Sequence, residues 1–138
     1  MAQQERPSVL FICVSNAGKS QMAEALMRAR VGGSATVNSA GTHPKGSINQ
    51  ESAESVARVG ASMEGSLSEP IDAHLLGTVD RVIILGNDAE VEPPFEMKAE
   101  EIERWDIVEP GGEGEARMDK IRDDIKQRVD ELATEMGL

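Results

Sequence analysis

The single cysteine, Cys13, begins a segment that combines a nucleophile with groups able to bind an anion. The residues after it are small, turn-forming or cationic: Val14, Ser15, Asn16, Ala17, Gly18, Lys19 and Ser20. Such a loop lets backbone amides converge on one point, and Lys19 adds a positive charge. A sulfur nucleophile would lie at the edge of this oxyanion site, with the Ser20 hydroxyl able to donate a hydrogen bond to it. The spacing predicts covalent catalysis on an oxyanion.

The elements around this segment place it between a strand and a helix. Residues 9–12 are a continuous apolar run, which is typical of a strand buried on both faces of a parallel sheet. Apolar residues then recur at spacings of three and four, so a helix is predicted to begin near Lys19 or Ser20. A thiol beside a helix N-terminus and a cation loses its proton more readily than a free cysteine. We therefore expect Cys13 to be largely thiolate at neutral pH.

Further strands and helices alternate along the chain. Strands are predicted at residues 35–40, 82–85 and 102–108, and the strongly apolar run 82–85 should lie centrally, with its end facing Cys13. Helices are predicted from Ser47 or Asn49 to Gly60, over residues 72–76 and from residue 115 onward. The last of these is amphipathic and should cover the sheet. The pattern indicates an α/β protein with a mostly parallel sheet.

Composition limits the class of protein. A length of 138 residues suits one domain, spanning residues 1–138. The net charge of −11 argues against nucleic acid and anionic membranes as partners. The sequence has neither an 18-residue apolar span nor a signal-peptide pattern, and its one cysteine cannot form an internal disulfide. We expect a cytoplasmic monomer that binds no metal.

Two alternatives to a reactive thiol are consistent with part of this pattern. The nucleotide-binding pattern Gly-x4-Gly-Lys-Ser/Thr fits residues 13–20 everywhere except the first position, where Cys13 replaces the glycine that lets such a loop wrap a diphosphate. The magnesium-binding aspartate expected after a second apolar strand is also missing, because residues 82–85 are followed by Gly86. A structural core cysteine is the other alternative, and the polar, cationic loop beside Cys13 disfavours it.

The pattern Cys-x5-Lys-Ser, followed by Gln-Met-Ala-Glu at residues 21–24, resembles the active-site loop of low-molecular-weight protein tyrosine phosphatases and of the arsenate reductases that share their fold. Further similar segments lie at residues 38–42, 80–85 and 104–110. The resemblance implies a three-layer fold with a central four-stranded, mostly parallel sheet flanked by helices. Lys19 departs from the family's arginine, and it lacks the planar fork that grips two oxyanion oxygens together.

The resemblance also implies roles for individual residues. Glu109, before Pro110, stands where the family carries the aspartate that acts as general acid. Asn16 is expected to take a left-handed backbone and hold the loop in shape, while Glu24 and Ser39 would tie the loop to the second strand. Thioredoxin-coupled relatives carry two resolving cysteines, and the matching places here hold Gly86 and, approximately, Pro93.

Aromatic and thiol content narrow the choice among the substrates and reductants that the resemblance implies. The chain has no tyrosine, and with Phe11 in a buried strand only Trp105 and Phe95 could stack on an aryl phosphate, so arsenate is favoured. One thiol cannot supply two electrons. The chain is similar to single-cysteine arsenate–mycothiol transferases, which implies mycothiol and mycoredoxin as partners and no bound cofactor; glutathione with glutaredoxin meets the same electron count. A protein tyrosine phosphatase and a noncatalytic oxyanion-binding protein remain alternatives.

Overall fold

Four parallel strands form one central sheet in the structure, a computed structural model that describes residues 6–138. The strands are β1 (Ser8–Cys13), β2 (Thr36–Gly41), β3 (Arg81–Leu85) and β4 (Ile102–Trp105). The helices are α1 (Lys19–Val31), α2 (Gln50–Ala57), α3 (Ala73–Thr78) and α4 (Gly114–Glu135), with a 3-10 turn at Gly32–Ser34. The strand order is β2-β1-β3-β4, and each pairing is parallel.

Residues 9–12 of strand β1 are all apolar because both faces of the strand are covered by other elements. Val9 and Phe11 join the core under α1, α2 and α4, whereas Leu10 and Ile12 join a second core under α3 and the segment before β4. All four side chains are at most 1% exposed. The structure therefore confirms the three-layer α/β fold with a four-stranded sheet. Because β1 pairs with both β2 and β3, the loop that follows Cys13 emerges at the middle of the sheet's carboxyl edge.

The last strand is shorter than the sequence predicted. It ends at Trp105 rather than at residue 108, because the next residues leave the sheet and bind α4. Arg128 donates to the carbonyl of Asp106 at 2.9 Å, and the carboxylate of Asp124 accepts from the amide of Val108 at 2.7 Å. The loop that carries Glu109 is thus attached to α4 rather than to β3.

Capping residues set the bounds of the short helices. Asn49 accepts from the amide of Ser52 at 2.8 Å, so α2 begins after Asn49, and the helix ends at Ala57, before Gly60. Asp72 accepts from two amides of the first turn of α3 and caps that helix instead of beginning it. The sequence predicted a helix over residues 72–76. The helix is present, but it begins one residue later, at Ala73, and extends to Thr78.

Helix α4 is the longest helix, and it covers the sheet with one apolar face. Ile121, Ile125, Val129 and Leu132 are at most 3% exposed and pack into the core beneath α1 and α2. The opposite face carries acidic and basic side chains in ion pairs, as the amphipathic pattern predicted. Among residues 6–138, no helix has the combination of length and apolar character needed to span a bilayer.

Candidate active site

The loop between β1 and α1 turns its carbonyl groups outward. The carbonyls of Cys13, Val14, Ser15 and Ala17 accept hydrogen bonds from the amides of Thr42 (3.1 Å), His43 (2.8 Å), Lys45 (3.0 Å) and Asn49 (2.8 Å). In a planar trans peptide the N–H points opposite to the C=O. The amides that follow these carbonyls therefore point toward the inside of the loop, where they can bind an anion together with the first turn of α1.

Asn16 holds this loop in shape. Its φ is 47°, so the predicted left-handed backbone is present, and the residue is fully buried. The side-chain amide donates to the hydroxyls of Ser20 (2.8 Å) and Ser39 (2.9 Å). The side-chain carbonyl accepts from Gln21 (3.1 Å) and from the amide of Glu69 (2.8 Å). All four hydrogen-bonding positions of this amide are thus used to fix the loop against α1, β2 and the segment before α3 that contains Glu69.

Cys13 lies at the start of the loop, next to the N-terminus of α1. Its residue is 6% exposed, and Sγ is 3.0 Å from the Ser20 hydroxyl oxygen. Because that oxygen already accepts from Asn16, its own hydrogen is available for the sulfur. The sulfur is therefore hydrogen-bonded to Ser20 at the start of α1, beside the loop in which an anion could bind.

A cavity of about 240 Å³ opens beside Cys13 and Lys19. Its far wall is residues 85–89, the end of β3 and the segment that follows it, and Arg104 of β4 holds this wall by donating to the carbonyls of Gly86 (2.7 Å) and Ala89 (2.8 Å). A Cβ added to Gly86 would stand 3.7 Å from the Lys19 ammonium nitrogen. The ends of β1 and β3 thus enclose one space large enough for a small oxyanion.

Lys19 and Glu109 meet at the rim of this site although they are 90 residues apart. The Lys19 ammonium forms an ion pair with Glu109 Oε1. The other carboxylate oxygen, Oε2, is 3.1 Å from Arg117 Nη2 on α4. The sequence predicted Lys19 and Glu109 at the site but not Arg117, whose only signal was its position in the first turn of α4, after the Glu-Pro loop.

Aromatic side chains do not line the cavity beside Cys13 in the described part of the chain. Phe11 is buried against Trp105, with ring centroids 5.7 Å apart, and Phe95 is fully exposed on the segment before β4. Pro93 lines a different cavity, together with Ile84 and Met97, so only Gly86 of the two expected cysteine places lies at the site. Within residues 6–138 no cluster of three or more ligand side chains is arranged to hold a metal ion.

Glu24 and Ser39 form the predicted link behind the loop. The Ser39 hydroxyl donates to Glu24 Oε1 at 2.7 Å, and Arg28 Nη2 is 2.7 Å from Oε2. Burial raises the pKa of the Glu24 carboxyl above its ordinary value of 4.5, although the Ser39 hydrogen bond and Arg28 act in the opposite direction. The folded protein therefore holds this proton more tightly than the unfolded chain does.

This raised pKa predicts a pH dependence of stability. The contribution of Glu24 to the free energy of unfolding should fall as the pH rises from about 4.5 through the raised pKa, and should level off above it. Urea unfolding between pH 4.5 and pH 7.5 will measure by how much the free energy of unfolding of the wild type exceeds that of Glu24→Gln at each pH. A difference that stays constant or grows with pH would contradict the prediction. The exposed Glu131, changed to glutamine, is the matched control and should show no such trend.

Named relatives share this arrangement of the chain. An arsenate reductase of Staphylococcus xylosus is 30% identical over 126 residues, which make up 91% of this chain and 95% of the relative. The solved structure of a thioredoxin-dependent arsenate reductase of Corynebacterium glutamicum superposes with a TM-score of 0.80 at 28% identity. That match covers 99% of this chain, which spans 64% of the longer Corynebacterium chain.

A second solved structure, described as an arsenate reductase in the phosphate binding state, has a TM-score of 0.80 at 27% identity. It matches 94% of this chain and 98% of its own. The family model for low molecular weight phosphotyrosine protein phosphatase matches residues 8–137, almost the whole sequence. The chain therefore belongs to the low molecular weight phosphotyrosine protein phosphatase family.

Proposed function

We propose that the protein is an arsenate reductase that works as an arsenate–mycothiol transferase, with mycoredoxin releasing the arsenite. The observation that carries the proposal is the sulfur of Cys13, which lies 3.0 Å from the Ser20 hydroxyl at a helix start and beside the cavity that Lys19 lines. Relatives that cover nearly the whole chain at about 30% identity are named arsenate reductases, which supports arsenate as the substrate.

In the first step, the Cys13 thiolate attacks the arsenic atom of arsenate. The loop amides of residues 14–20 and the Lys19 ammonium bind the arsenate oxygens and stabilise the negative charge that builds up on them. One arsenic–oxygen bond breaks, and that oxygen leaves as water with a proton that Glu109 takes up from solvent and donates to it. The product is a Cys13 thioester of arsenate in which arsenic is still pentavalent.

In the second step, an external thiol takes over the arsenic. Mycothiol releases its thiol proton to solvent, its sulfur bonds to arsenic and Cys13 leaves as thiolate, so the adduct departs and the enzyme is restored. A redoxin thiolate then attacks the mycothiol sulfur. The sulfur–arsenic bond breaks, its electron pair stays on arsenic, and arsenite leaves together with a mixed disulfide. Both electrons thus come from two thiols outside the chain, which agrees with its single cysteine.

A chain with a single cysteine cannot follow the thioredoxin-coupled mechanism. In that scheme, resolving cysteines of the enzyme itself form the disulfide that thioredoxin reduces. Gly86 occupies the nearer of the two matching places, on the wall of the cavity beside Cys13, and it brings no sulfur there. The relation to the thioredoxin-dependent Corynebacterium enzyme therefore supports the substrate rather than the reductant.

Arsenite production by the purified protein tests this reductant. We expect turnover with mycothiol plus mycoredoxin, and no production above the protein-free background with thioredoxin and thioredoxin reductase alone. A third arm with glutathione plus glutaredoxin compares the two low-molecular-weight thiols at equal concentration, and mycothiol should give the higher kcat/KM. Without redoxin, mycothiol should support the loss of arsenate but little release of arsenite.

Two outcomes would contradict the proposal. Turnover with thioredoxin alone would mean that the missing cysteines are not needed, and faster turnover with glutathione would remove mycothiol as the co-substrate. A further arm supplies p-nitrophenyl phosphate with no thiol, since the same thiolate and loop could attack phosphate. Efficient hydrolysis there, with no arsenate reduction in any arm, would identify a phosphatase instead.

A further inference from the structure

Arg117 binds both parts of the Glu109–Pro110 pair. Its Nη2 is 3.1 Å from Glu109 Oε2, and its Nε donates to the carbonyl of Pro110 at 3.2 Å. One guanidinium therefore fixes the side chain and the backbone of the loop at the same time. A planar fork with several donors suits this task, whereas a lysine could not make both contacts in the same way.

The loop itself offers little that would hold Glu109 in place. Gly111, Gly112 and Gly114 follow within five residues of Glu109, and a Cβ added to any of the three would meet no atom within 4 Å. Segments with this composition have many accessible backbone conformations. Glu109 is 56% exposed at its side chain, so packing does not restrain it either. Its position depends on the charged groups that contact it.

Those groups are Lys19 and Arg117, and Lys19 faces a second demand. Its ammonium contacts Glu109 Oε1 and also lines the cavity in which an oxyanion would bind. A dianion is a stronger competitor for the ammonium than one exposed carboxylate is. When Lys19 turns to the anion, Arg117 is the contact that remains, because it binds the other carboxylate oxygen and the carbonyl of Pro110.

We propose that Arg117 is a positioning residue that keeps the Glu109 carboxyl over the oxyanion while Lys19 moves to the substrate. The inference rests on the proposed function, in which Glu109 donates the proton to the departing oxygen. It extends an attachment visible elsewhere in the loop, where Asp124 and Arg128 of α4 hold Val108 and Asp106. Helix α4 thereby contacts the loop at Asp106, Val108, Glu109 and Pro110.

Steady-state kinetics of Arg117→Gln and Arg117→Lys with the full thiol system test the role. Arg117→Gln should lower kcat by about 10- to 100-fold and leave KM for arsenate within about twofold, because proton donation is misaligned while the anion loop is intact. Arg117→Lys should recover part of kcat. Arg122→Gln is the matched control on the same helix, since Arg122 pairs with Asp119 and Asp123 and not with Glu109. It should keep the wild-type kcat.

The double variant Glu109→Gln/Arg117→Gln separates positioning from structural damage. If Arg117 acts only through Glu109, the double variant should be no slower than Glu109→Gln alone. Additive losses, or an Arg117→Gln kcat within twofold of the wild type, would overturn the proposal. A loss in Arg122→Gln equal to that of Arg117→Gln would do so as well.

An NMR measurement keeps this test independent of arsenate turnover. The carboxyl carbon signal of Glu109, assigned with Glu109→Gln, is followed in phosphate-bound protein, with inorganic phosphate as the probe. The chemical shift of this signal should differ from the wild-type value in Arg117→Gln and should equal it in Arg122→Gln. A wild type that fails to reduce arsenate would refute the proposed function, whereas an unshifted Glu109 signal in Arg117→Gln would refute the positioning role.

Discussion

Replacing Cys13 with serine is expected to reduce arsenate turnover by at least about a thousandfold, to the level of the protein-free reaction. A serine hydroxyl at position 13 is close in size to the thiol and can still contact Ser20, but it stays protonated and is a poor nucleophile. Its oxygen also cannot form the sulfur–arsenic bond that the external thiol must then attack. Arsenite production with mycothiol and mycoredoxin measures the loss. The change should be in kcat, because the groups proposed to bind the anion are backbone amides and Lys19.

Oxyanion binding by the same variant serves as its control. Calorimetric titration with inorganic phosphate should give a Kd for Cys13→Ser within a few-fold of the wild type, which would show that the loop is intact. A noncatalytic oxyanion-binding protein would behave differently, since its biological response to arsenate would survive the substitution. Residual arsenite production by Cys13→Ser above a tenth of the wild-type rate would show that another group carries the chemistry.

The parts of the site that the sequence could predict are local ones. The apolar run of β1, the turn-forming residues after it and the start of α1 are contiguous, so their order alone places Cys13 at a helix N-terminus. The positive φ of Asn16 follows from the same local pattern, because asparagine tolerates that conformation better than most residues. Such features depend on backbone propensities that a few neighbouring residues determine.

Contacts between distant elements could not be predicted in this way. The periodicity of α4 showed which side faces the core, but the other side carries many charges, and nothing in the spacing distinguishes Arg117 from Arg122 or Lys120. Only the way α4 packs beside the loop decides which guanidinium reaches Glu109. The early end of β4 has the same origin, since the amide of Val108 finds its acceptor on Asp124 of α4 rather than on a neighbouring strand.

The close approach of β2 to the active-site loop is a further tertiary feature, and it centres on Gly41. The parallel register pairs Cys13 with Gly41 at the carboxyl ends of β1 and β2. A Cβ added to Gly41 would lie 2.7 Å from the carbonyl oxygen of Val14 and 2.9 Å from the backbone nitrogen and the Cβ of Asn16. These neighbours belong to the loop backbone and its central side chain, so they cannot move aside without changing the loop.

Gly41→Ala is therefore expected to lower the free energy of unfolding by about 1–3 kcal/mol, the usual range for overpacking a tight site. It should also weaken phosphate binding by at least about tenfold. A displaced Val14 carbonyl rotates the peptide that it shares with the Ser15 amide, which takes that amide out of the proposed anion site.

Gly33→Ala is the matched control, since a Cβ there meets no atom within 4 Å, and its unfolding free energy should stay within about 0.5 kcal/mol of the wild type. Urea unfolding and phosphate calorimetry on both variants measure the two effects. If Gly41→Ala matched Gly33→Ala in both measurements, β2 would not support the loop in the way the structure shows, and the inward-pointing amides would not form the proposed anion site.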